Sequence, residues 1–409
     1  MSMLLTDEQS ALQAEFRAFA AANVEPFAGA WDRAQQIPES AIAQLGRAGY
    51  LGAIIPAEYG GQGWDMVTFG LLNEALGRSD SAFTGILTVQ SMVSAALVKW
   101  GTPGQRERWL GPLAKGKIIG SFALTEPGGG SDLQAMTTEF RSNDQHGGLI
   151  LSGEKKWITC GQVAGVFLVF GKLDQRPLAC LVPRETDGFE IEPIDGLMGF
   201  RAAGLARLRF HDVRIPAVNV VGKPGFALSH VAQAGLQCGR ISTACSSLGL
   251  LRACFEESTD YAASRKAGGH RIGDFGMIQS LIAKMGANLE AARLLCWSAC
   301  QAEDNHLPET FTRAIIAKYF ASRAAVAASS DAVQIHGAAG CHESSPVARY
   351  YRGAKIMEII EGTTQVHEFI LGTGFVQDAL RRQKSRQQSR WKGTGDPAKL
   401  TDKPILWRE

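Results

Sequence analysis

The chain has 409 residues, of which 45% are hydrophobic and 20% are charged, and its formal net charge is only +2. This length supports a large core and more than one domain, and the balanced charge argues against nucleic acid or an anionic membrane as the main partner. Eight cysteines are scattered without a Cys-x-x-Cys pair, which is typical of reduced thiols in a cytosolic protein. The N-terminal sequence has no signal-peptide pattern, and the apolar runs are too short for a bilayer. We therefore expect a cytoplasmic globular protein with no membrane span.

The first 117 residues are expected to form a helical domain. Thr6 and Gln9 have the spacing of a capping box at the start of a helix, and Phe16 and Phe19 follow at helical spacing. Residues 38–48 and 66–76 carry similar patterns. The glycine-rich stretch 56–63 lies between them and predicts a loop.

Residues 118–222 are expected to form a small antiparallel β domain. Short runs typical of strands lie at 118–124, 149–152, 166–170, 179–183, 189–194 and 208–216. In the last run the alternation of apolar residues slips once, and a β-bulge at His211-Asp212 would account for that slip.

Residues 223–372 are expected to form a second helical domain. Helical spacing extends over the long segments 226–264, 274–303, 309–335 and 346–371, which predict an antiparallel four-helix bundle. The predicted fold class is therefore α+β and mainly α. Residues 373–409 form a basic polar tail, either solvated and disordered or packed on a neighbouring subunit or partner through Trp391 and Trp407.

Two glycine- and threonine-containing stretches in the β region could bind a planar or phosphorylated group. Residues 122–132 follow a predicted strand and place three consecutive glycines between Thr125 and Ser131. Backbone N–H groups and hydroxyls of such a turn suit a phosphate or a flavin edge, although a run of this kind is more often only a loop. Trp157 and Thr159 could stack on a planar ring and hydrogen-bond to it, or they could simply belong to a core strand.

A third stretch contains a carboxylate in apolar surroundings. Glu361 follows Ile359 and Ile360 and directly precedes Gly362, so a helix must bend there. Apolar neighbours raise the pKa of a carboxyl group, which suits a general base. The alternative is a solvent-exposed glutamate at a helix break.

Taken together, these motifs resemble those of the acyl-CoA dehydrogenases over about residues 5–372. Each motif alone is weak or moderate evidence, but all of them occur in the order of that family. The matching pieces are Pro56 with Gly60-Gly61, Leu124-Thr125-Glu126-Pro127, Gly130-Ser131-Asp132, Trp157-Ile158-Thr159, residues 210–216, Arg240, Arg265-Lys266, residues 334–337, and Arg352 with Glu361-Gly362-Thr363.

The resemblance implies an FAD-dependent oxidoreductase that introduces a double bond between Cα and Cβ of an acyl thioester. By similarity, Glu361 would be the catalytic base. The residues expected to bind FAD are Thr125, Ser131, Trp157 and Thr159 along the flavin, Arg265, Gln334 and Gly337 across a subunit interface, and Thr363 and Gln365 at the nucleotide half. Ser131, Arg240 and Gly362 would contact the substrate, and no metal is implied.

The implied partners are an acyl-CoA or acyl-carrier-protein substrate, an electron-transfer flavoprotein or other acceptor, and further copies of the chain in a homodimer or homotetramer. Several positions depart from the family pattern. Residues 267–269 are Ala-Gly-Gly where an aromatic is usual, Gly276 replaces a glutamine, Gly353 an aspartate and Cys160 an asparagine. These departures predict fewer contacts to FAD from the neighbouring subunit.

The acyl group is less well defined by the sequence. Residues 89–91 and 100–102 resemble the glutaryl-CoA branch, but Thr84 stands where that branch has its carboxylate-binding arginine. Residues 197–204 and 336–361 are closer to dehydrogenases of polyketide and peptide biosynthesis, some of which act on acyl groups held by a carrier protein. The basic tail is compatible with docking an acidic carrier protein.

Two other classes remain as alternatives. A flavin oxidase or monooxygenase on the same fold would use O2 instead of an electron-transfer protein, and a degenerate member of the family would bind ligands without catalysis. A metal site at His336, Cys341 and His342 is conceivable by residue type, but the spacing fits no standard zinc site.

Overall fold

A computed structural model describes residues 5–143 and 147–394, with side chains described as far as residue 386. The chain forms two compact units, one ending at Thr364 and the other starting at Gln365. The helices are α1 Asp7–Asn23, α2 Ala28–Ala34, α3 Glu39–Arg47, α4 Met66–Ser79, α5 Ser81–Trp100, α6 Pro103–Ala114, α7 Gln233–Ser264, α8 Gly276–Asp304, α9 Thr310–His336, α10 Ala338–Cys341, α11 Pro346–Met357 and α12 Thr364–Thr394. One π-helical segment, Ala227–Ala232, leads into α7.

The strands are β1 Gly120–Ala123, β2 Glu139–Ser142, β3 Leu149–Ile158, β4 Val166–Leu173, β5 Arg176–Pro183, β6 Phe189–Pro193, β7 Ala206–Ile215, β8 Val220–Val221, β9 Lys266–Ala267 and β10 His270–Arg271. The first eight form one sheet in the order β6-β7-β3-β2-β4-β5-β8, and β1 also pairs with β4. β9 and β10 form a separate hairpin.

The predicted α+β, mainly α fold is confirmed, and so are several local features. Thr6 and Gln9 form both hydrogen bonds of the capping box at the start of α1. Between β3 and β7 the pairing shifts so that two residues, His211 and Asp212, lie opposite one, and Asp212 has a φ of 50°. The β-bulge therefore lies where the slip in the sequence pattern predicted it.

Three expectations needed correction. The sheet is mixed rather than purely antiparallel, because β1 and β2 both run parallel to β4. The predicted helix 346–371 is two helices, α11 and α12, separated by a turn. The predicted tail is helical as far as Thr394, which corrects the expectation of disorder there; the Trp391 side chain and residues 395–409, including Trp407, lie outside the described part, so packing through these two residues stays a prediction.

The core consists of three hydrophobic clusters. One joins the N-terminal helices to one face of the sheet, where Leu168 and Phe170 of β4 are buried. The opposite face, with Phe167 and Val169, has its own cluster, as the alternation of side chains along a strand requires. The third cluster fills the space between α7, α8, α9 and α11.

In the described part of the chain, α5 is the one helix long and apolar enough to cross a membrane by length and composition. Of its most apolar window, 94% is buried inside the protein, which is the environment of a core helix. Its buried apolar residues, from Ala82 to Leu97, belong to the first cluster.

Candidate active site

Glu361 lies in the turn that separates α11 from α12. Its φ is 54° and that of the following Gly362 is 98°. Left-handed backbone is easily adopted by glycine, whereas for a glutamate it costs on the order of 1–3 kcal/mol and must be enforced by the surroundings. The bend predicted at this position is confirmed, and the turn directs the Glu361 side chain back toward α7.

The Glu361 carboxylate is packed against α7 and α5. Its Oε2 atom is buried and has no hydrogen-bond partner among the described residues. A Cβ atom placed on Gly239 of α7 would overlap Oε2 and would lie 2.7 Å from the carboxylate carbon and 2.9 Å from Met92 Sδ. A side chain at position 239 would therefore occupy the space that Glu361 fills, and the alternative of a solvent-exposed glutamate is wrong.

Burial raises the pKa of Glu361 to about 7, against the lowering effects of Arg240 and Lys318. Both cations are buried themselves. Arg240 Nη1 donates to Gln233 Oε1 at 3.3 Å, and its guanidinium lies 5.2 Å from the centre of the Phe311 ring. Glu361 thus lies near two basic side chains, and it makes no ion pair within 4 Å among the described residues.

A pocket of about 430 Å³ opens beside Gln233 and Phe311, the contacts of Arg240. Its wall is formed by the end of α5, the π-helical segment, the start of α7 and the start of α9. Two buried atoms near it, Gln237 Oε1 and Arg240 Nε, have no partner in the described part of the protein. Such atoms favour a ligand that carries its own polar groups.

Thr125 follows β1 and lies next to the end of β3, which contains Trp157 and is followed by Thr159. Lys156 N donates to Thr125 O at 3.0 Å, which joins the glycine-rich loop to β3. Trp157 is 47% exposed and has a φ of 64°. Thr125 and Thr159 are partly exposed and Ser131 is exposed. Lys156 Nζ lies 4.7 Å from the centre of the Trp157 ring, and a partly exposed indole with hydroxyl-bearing residues nearby in the chain suits the ring and polar edge of a flavin.

A buried ion pair fixes the shape of the loop beside this surface. Lys155 Nζ donates to Glu126 Oε1 at 2.8 Å and to Leu124 O at 3.1 Å. Glu126 also accepts from the backbone N–H groups of Thr137 and Thr138. Burial alone would raise the pKa of Glu126, but Lys155 and these donors lower it to about 2. The loop is therefore tied to β3 and β2 by a permanently charged carboxylate.

Helix α5 connects the surroundings of Thr159 to those of Glu361. A Cβ atom on Gly85 would lie 3.3 Å from the Thr159 methyl group and from Phe200, whereas Met92, two turns later, lies beside Gly239 and Glu361. Two turns of α-helix span about 10 Å. Thr159 and the Glu361 carboxylate therefore lie along one side of the same helix.

The structure does not bring Arg265, Gln334 and Gly337 to this site. Arg265 follows the last residue of α7, about 37 Å along the helix from Arg240. Gln334 and Gly337 are exposed at the end of α9. Tyr261 stacks on His336 with ring centres 4.2 Å apart, so these residues share a second, exposed cluster at the far end of α7.

Thr363 is partly exposed in the same turn as Glu361, and Gln365 is exposed on the first turn of α12, in the second unit. Within the described residues, no group of three or more His, Cys, Asp or Glu side chains could hold a metal ion.

Two of the four departures from the family pattern have local structural explanations. Gly268 and Gly269, with φ of 60° and 85°, form the two-residue turn between β9 and β10, which needs positive φ at both positions. A Cβ atom on Gly353 would overlap the Ser81 hydroxyl. Nothing lies within 4 Å of a Cβ atom on Gly276, and nothing in the structure explains that glycine.

The sequence analysis did not predict three residues around Glu361 and the glycine-rich loop, Gly239, Lys155 and Lys318. A usable signal existed for Lys318, because it occurs at helical spacing with Ala314, Ala321 and Ala325, all of which are buried. A lysine on the apolar face of a helix is rarely solvated. For Gly239 and Lys155 the neighbours come from distant parts of the chain.

Three family models match consecutive parts of the sequence: the acyl-CoA dehydrogenase N-terminal domain over residues 6–117, the middle domain over 121–213 and the C-terminal domain over 229–375. The mouse mitochondrial short-chain specific acyl-CoA dehydrogenase is 35% identical over 376 residues, which is 90% of each chain.

Two solved structures are also similar. The glutaryl-CoA dehydrogenase of Mycobacterium smegmatis in complex with FADH2 has a TM-score of 0.86 and 27% identity, covering 91% of this chain and 95% of that one. FkbI, described as serving biosynthesis of the methoxymalonyl extender unit of a polyketide immunosuppressant, has a TM-score of 0.80 and 30% identity, covering 89% and 99%. The chain belongs to the acyl-CoA dehydrogenase family and is an FAD-dependent oxidoreductase.

Proposed function

We propose that the chain removes the α-proton of an acyl thioester through Glu361 and so forms an α,β-unsaturated thioester. The observation that carries this proposal is the buried Oε2 atom of Glu361, which has no partner among the described residues and whose pKa is near neutrality. A base tuned in this way can hold and release a proton at the working pH.

The backbone N–H of Glu361 supports the same reaction. In the described part of the chain it donates to no backbone or side-chain acceptor. The α-proton of a thioester becomes acidic only when the carbonyl oxygen is stabilised as negative charge develops. We infer that this N–H donates to that oxygen, with Gly362 leaving room for the thioester and Arg240 closing the pocket behind it.

Thr125, Ser131, Trp157 and Thr159 would hold the flavin, and Thr363 and Gln365 its nucleotide half. When bound, FAD would supply a hydride acceptor, which no amino-acid side chain can provide. Arg265, Gln334 and Gly337 are too far from Glu361 to serve the same site, so we assign them to FAD of a neighbouring subunit in a homodimer or homotetramer. Arg265→Ala should then weaken FAD binding, and an unchanged FAD affinity would contradict this assignment.

The reaction class is tested by anaerobic titration of the yellow holoenzyme with acyl-CoA and acyl-carrier-protein thioesters. Bleaching of the flavin absorbance by one class, and its loss in Glu361→Gln, is the expected result. A protein that binds no FAD would contradict the enzymatic function. Rapid reoxidation of the bleached enzyme in air would favour an oxidase or monooxygenase over a dehydrogenase that passes electrons to an electron-transfer flavoprotein.

The substrate could be a free acyl-CoA or an acyl group on a carrier protein. Residues 373–394 of α12 contain six basic residues and one acidic residue, and carrier proteins are acidic, so charge complementarity favours docking. Deletion of residues 373–409 should weaken carrier-protein binding and leave acyl-CoA binding unchanged, and equal losses for both would contradict the docking role.

We also place the enzyme in the cytoplasm. All eight cysteines are free, and seven of them are buried, which is the state expected in a reducing compartment.

Replacing Gly239 with alanine should displace the base. The added Cβ would overlap Glu361 Oε2, and a shift of about 1 Å at the reacting centre can lower the rate about 100-fold. We expect kcat to fall by that order while the flavin spectrum stays unchanged. Gly104→Ala on α6 is the matched control, because nothing lies within 4 Å of its added Cβ. Full activity of Gly239→Ala would show that Glu361 is placed differently.

The rate should increase with pH through neutrality. Burial raises the pKa of Glu361 to about 7, so about a tenth of the base is ionised at pH 6 and about nine tenths at pH 8. Because only the ionised form accepts a proton, we expect the anaerobic bleaching rate to rise nearly tenfold between these values and then level off. A profile already flat above pH 5 would contradict the raised pKa.

A further inference from the structure

Lys318 is a lysine of α9 whose side chain has no solvent exposure. Its ammonium group donates to Gly362 O at 2.6 Å and to Glu358 O at 3.3 Å. Residues 358 and 362 lie on either side of Glu361 in the sequence. The only polar groups that Lys318 contacts in the described part of the protein therefore belong to the turn that carries the base.

The turn needs such a donor. It follows the end of α11, where carbonyl groups have no partner within the helix, and it holds Glu361 in left-handed backbone. Thr364 N donates to Glu358 O at 3.0 Å, which closes the turn from one side. Lys318 closes it from the other side, through the carbonyl directly after the base.

The charge of Lys318 also acts on the base. The groups whose charges act on Glu361 are Arg240 from α7 and Lys318 from α9. Burial lowers the pKa of Lys318 to about 7, against the raising effects of Glu361 and Glu358. Glu358 itself is paired with Lys355 at 2.6 Å. The removal of Lys318 would leave Arg240 as the single cation acting on Glu361.

We propose that Lys318 is a positioning residue that keeps the Glu361 carboxylate in its reactive place by binding the Glu358 and Gly362 carbonyls. This inference rests on the proposed role of Glu361 as the base. The competing explanation is that Lys318 only stabilises the fold, by binding carbonyl groups at the C-terminal end of α11.

The test uses the full-length holoenzyme with Lys318→Ala and Lys318→Gln, and with Lys284→Ala, an exposed lysine of α8, as the control. For Lys318→Ala we expect the anaerobic bleaching rate at saturating thioester to fall 10- to 100-fold, with a less than threefold change in half-saturation. Methylammonium should restore part of the rate, and tetramethylammonium at the same ionic strength should not. A purely structural role predicts no rescue by the small amine.

Lys318→Gln keeps an N–H donor and removes the charge. It is the second test of the proposal, to be used if the alanine variant does not fold. Because a nearby positive charge is lost, the acid limb of its pH–rate profile should move to higher pH, with Arg240 still in place. A wild-type rate and an unshifted profile in Lys318→Gln would overturn the proposal. Retained bleaching in Glu361→Gln would instead overturn the proposed function, so the two failures are distinguishable.

Discussion

Glu361→Gln should lower the rate of anaerobic flavin bleaching by about 10²–10⁴-fold, the range that a general base contributes. Glutamine has nearly the shape of glutamate but cannot accept the α-proton. The Glu361 carboxylate packs against Gly239 and Met92, so a base dissolved in the solvent cannot take its place. The flavin spectrum and the half-saturation for thioester should change little, since the amide keeps the packing.

The matched control is Glu107→Gln, which removes an exposed carboxylate from α6. It should bleach at the wild-type rate. A Glu361→Gln enzyme that bleaches at more than about a tenth of the wild-type rate would mean that another group takes the proton. Stopped-flow absorbance of the flavin under anaerobic conditions measures both variants directly.

Lys155→Met should destabilise the protein by about 3–5 kcal/mol, because it leaves the buried Glu126 carboxylate without its cation. Burial lowers the pKa of Lys155 to about 8 even with Glu126 beside it, so the pair is still charged at neutral pH. The glycine-rich loop is anchored through Glu126 to Thr137 and Thr138. FAD affinity should therefore fall together with the free energy of unfolding.

The double variant Lys155→Met/Glu126→Gln should be more stable than Lys155→Met alone, since it removes the uncompensated charge. Lys172→Met, on the same sheet, is the control: its ammonium donates to Gln134 O at an exposed position, and its loss should cost less than about 1 kcal/mol. Urea unfolding and FAD fluorescence titration give the two quantities. Equal stability of the single and double variants would mean that Glu126 becomes protonated or solvated.

The features that the sequence predicted correctly are those set by neighbouring residues. The capping box at Thr6 depends on a residue three positions away, and the bulge at His211-Asp212 appears as a break in alternation. The bend at Glu361 was predictable because Gly362 follows it. The family motifs then identified the fold and the cofactor, since their order is specific even where each piece is not.

The features that were missed depend on contacts between distant segments. β2 has one buried apolar residue, Phe140, in a polar stretch, so no alternation marks it. The parallel pairing of β1 and β2 with β4 is decided by packing that no local pattern records. In the tail, arginine, lysine and glutamine favour helix, and their propensity prevailed over a composition that resembles disorder.

The left-handed backbone around the site has a consequence for protein engineering. Nine non-glycine residues have positive φ in the described part of the chain. Four of them, Trp157, Cys160, Phe200 and Glu361, belong to the candidate site or lie next to it. Glycine at any of them would relieve strain, so selection for heat resistance alone would tend to replace the residues that shape the active site. Stabilising variants of this enzyme should therefore be sought in α1 to α4 and screened for turnover at every round.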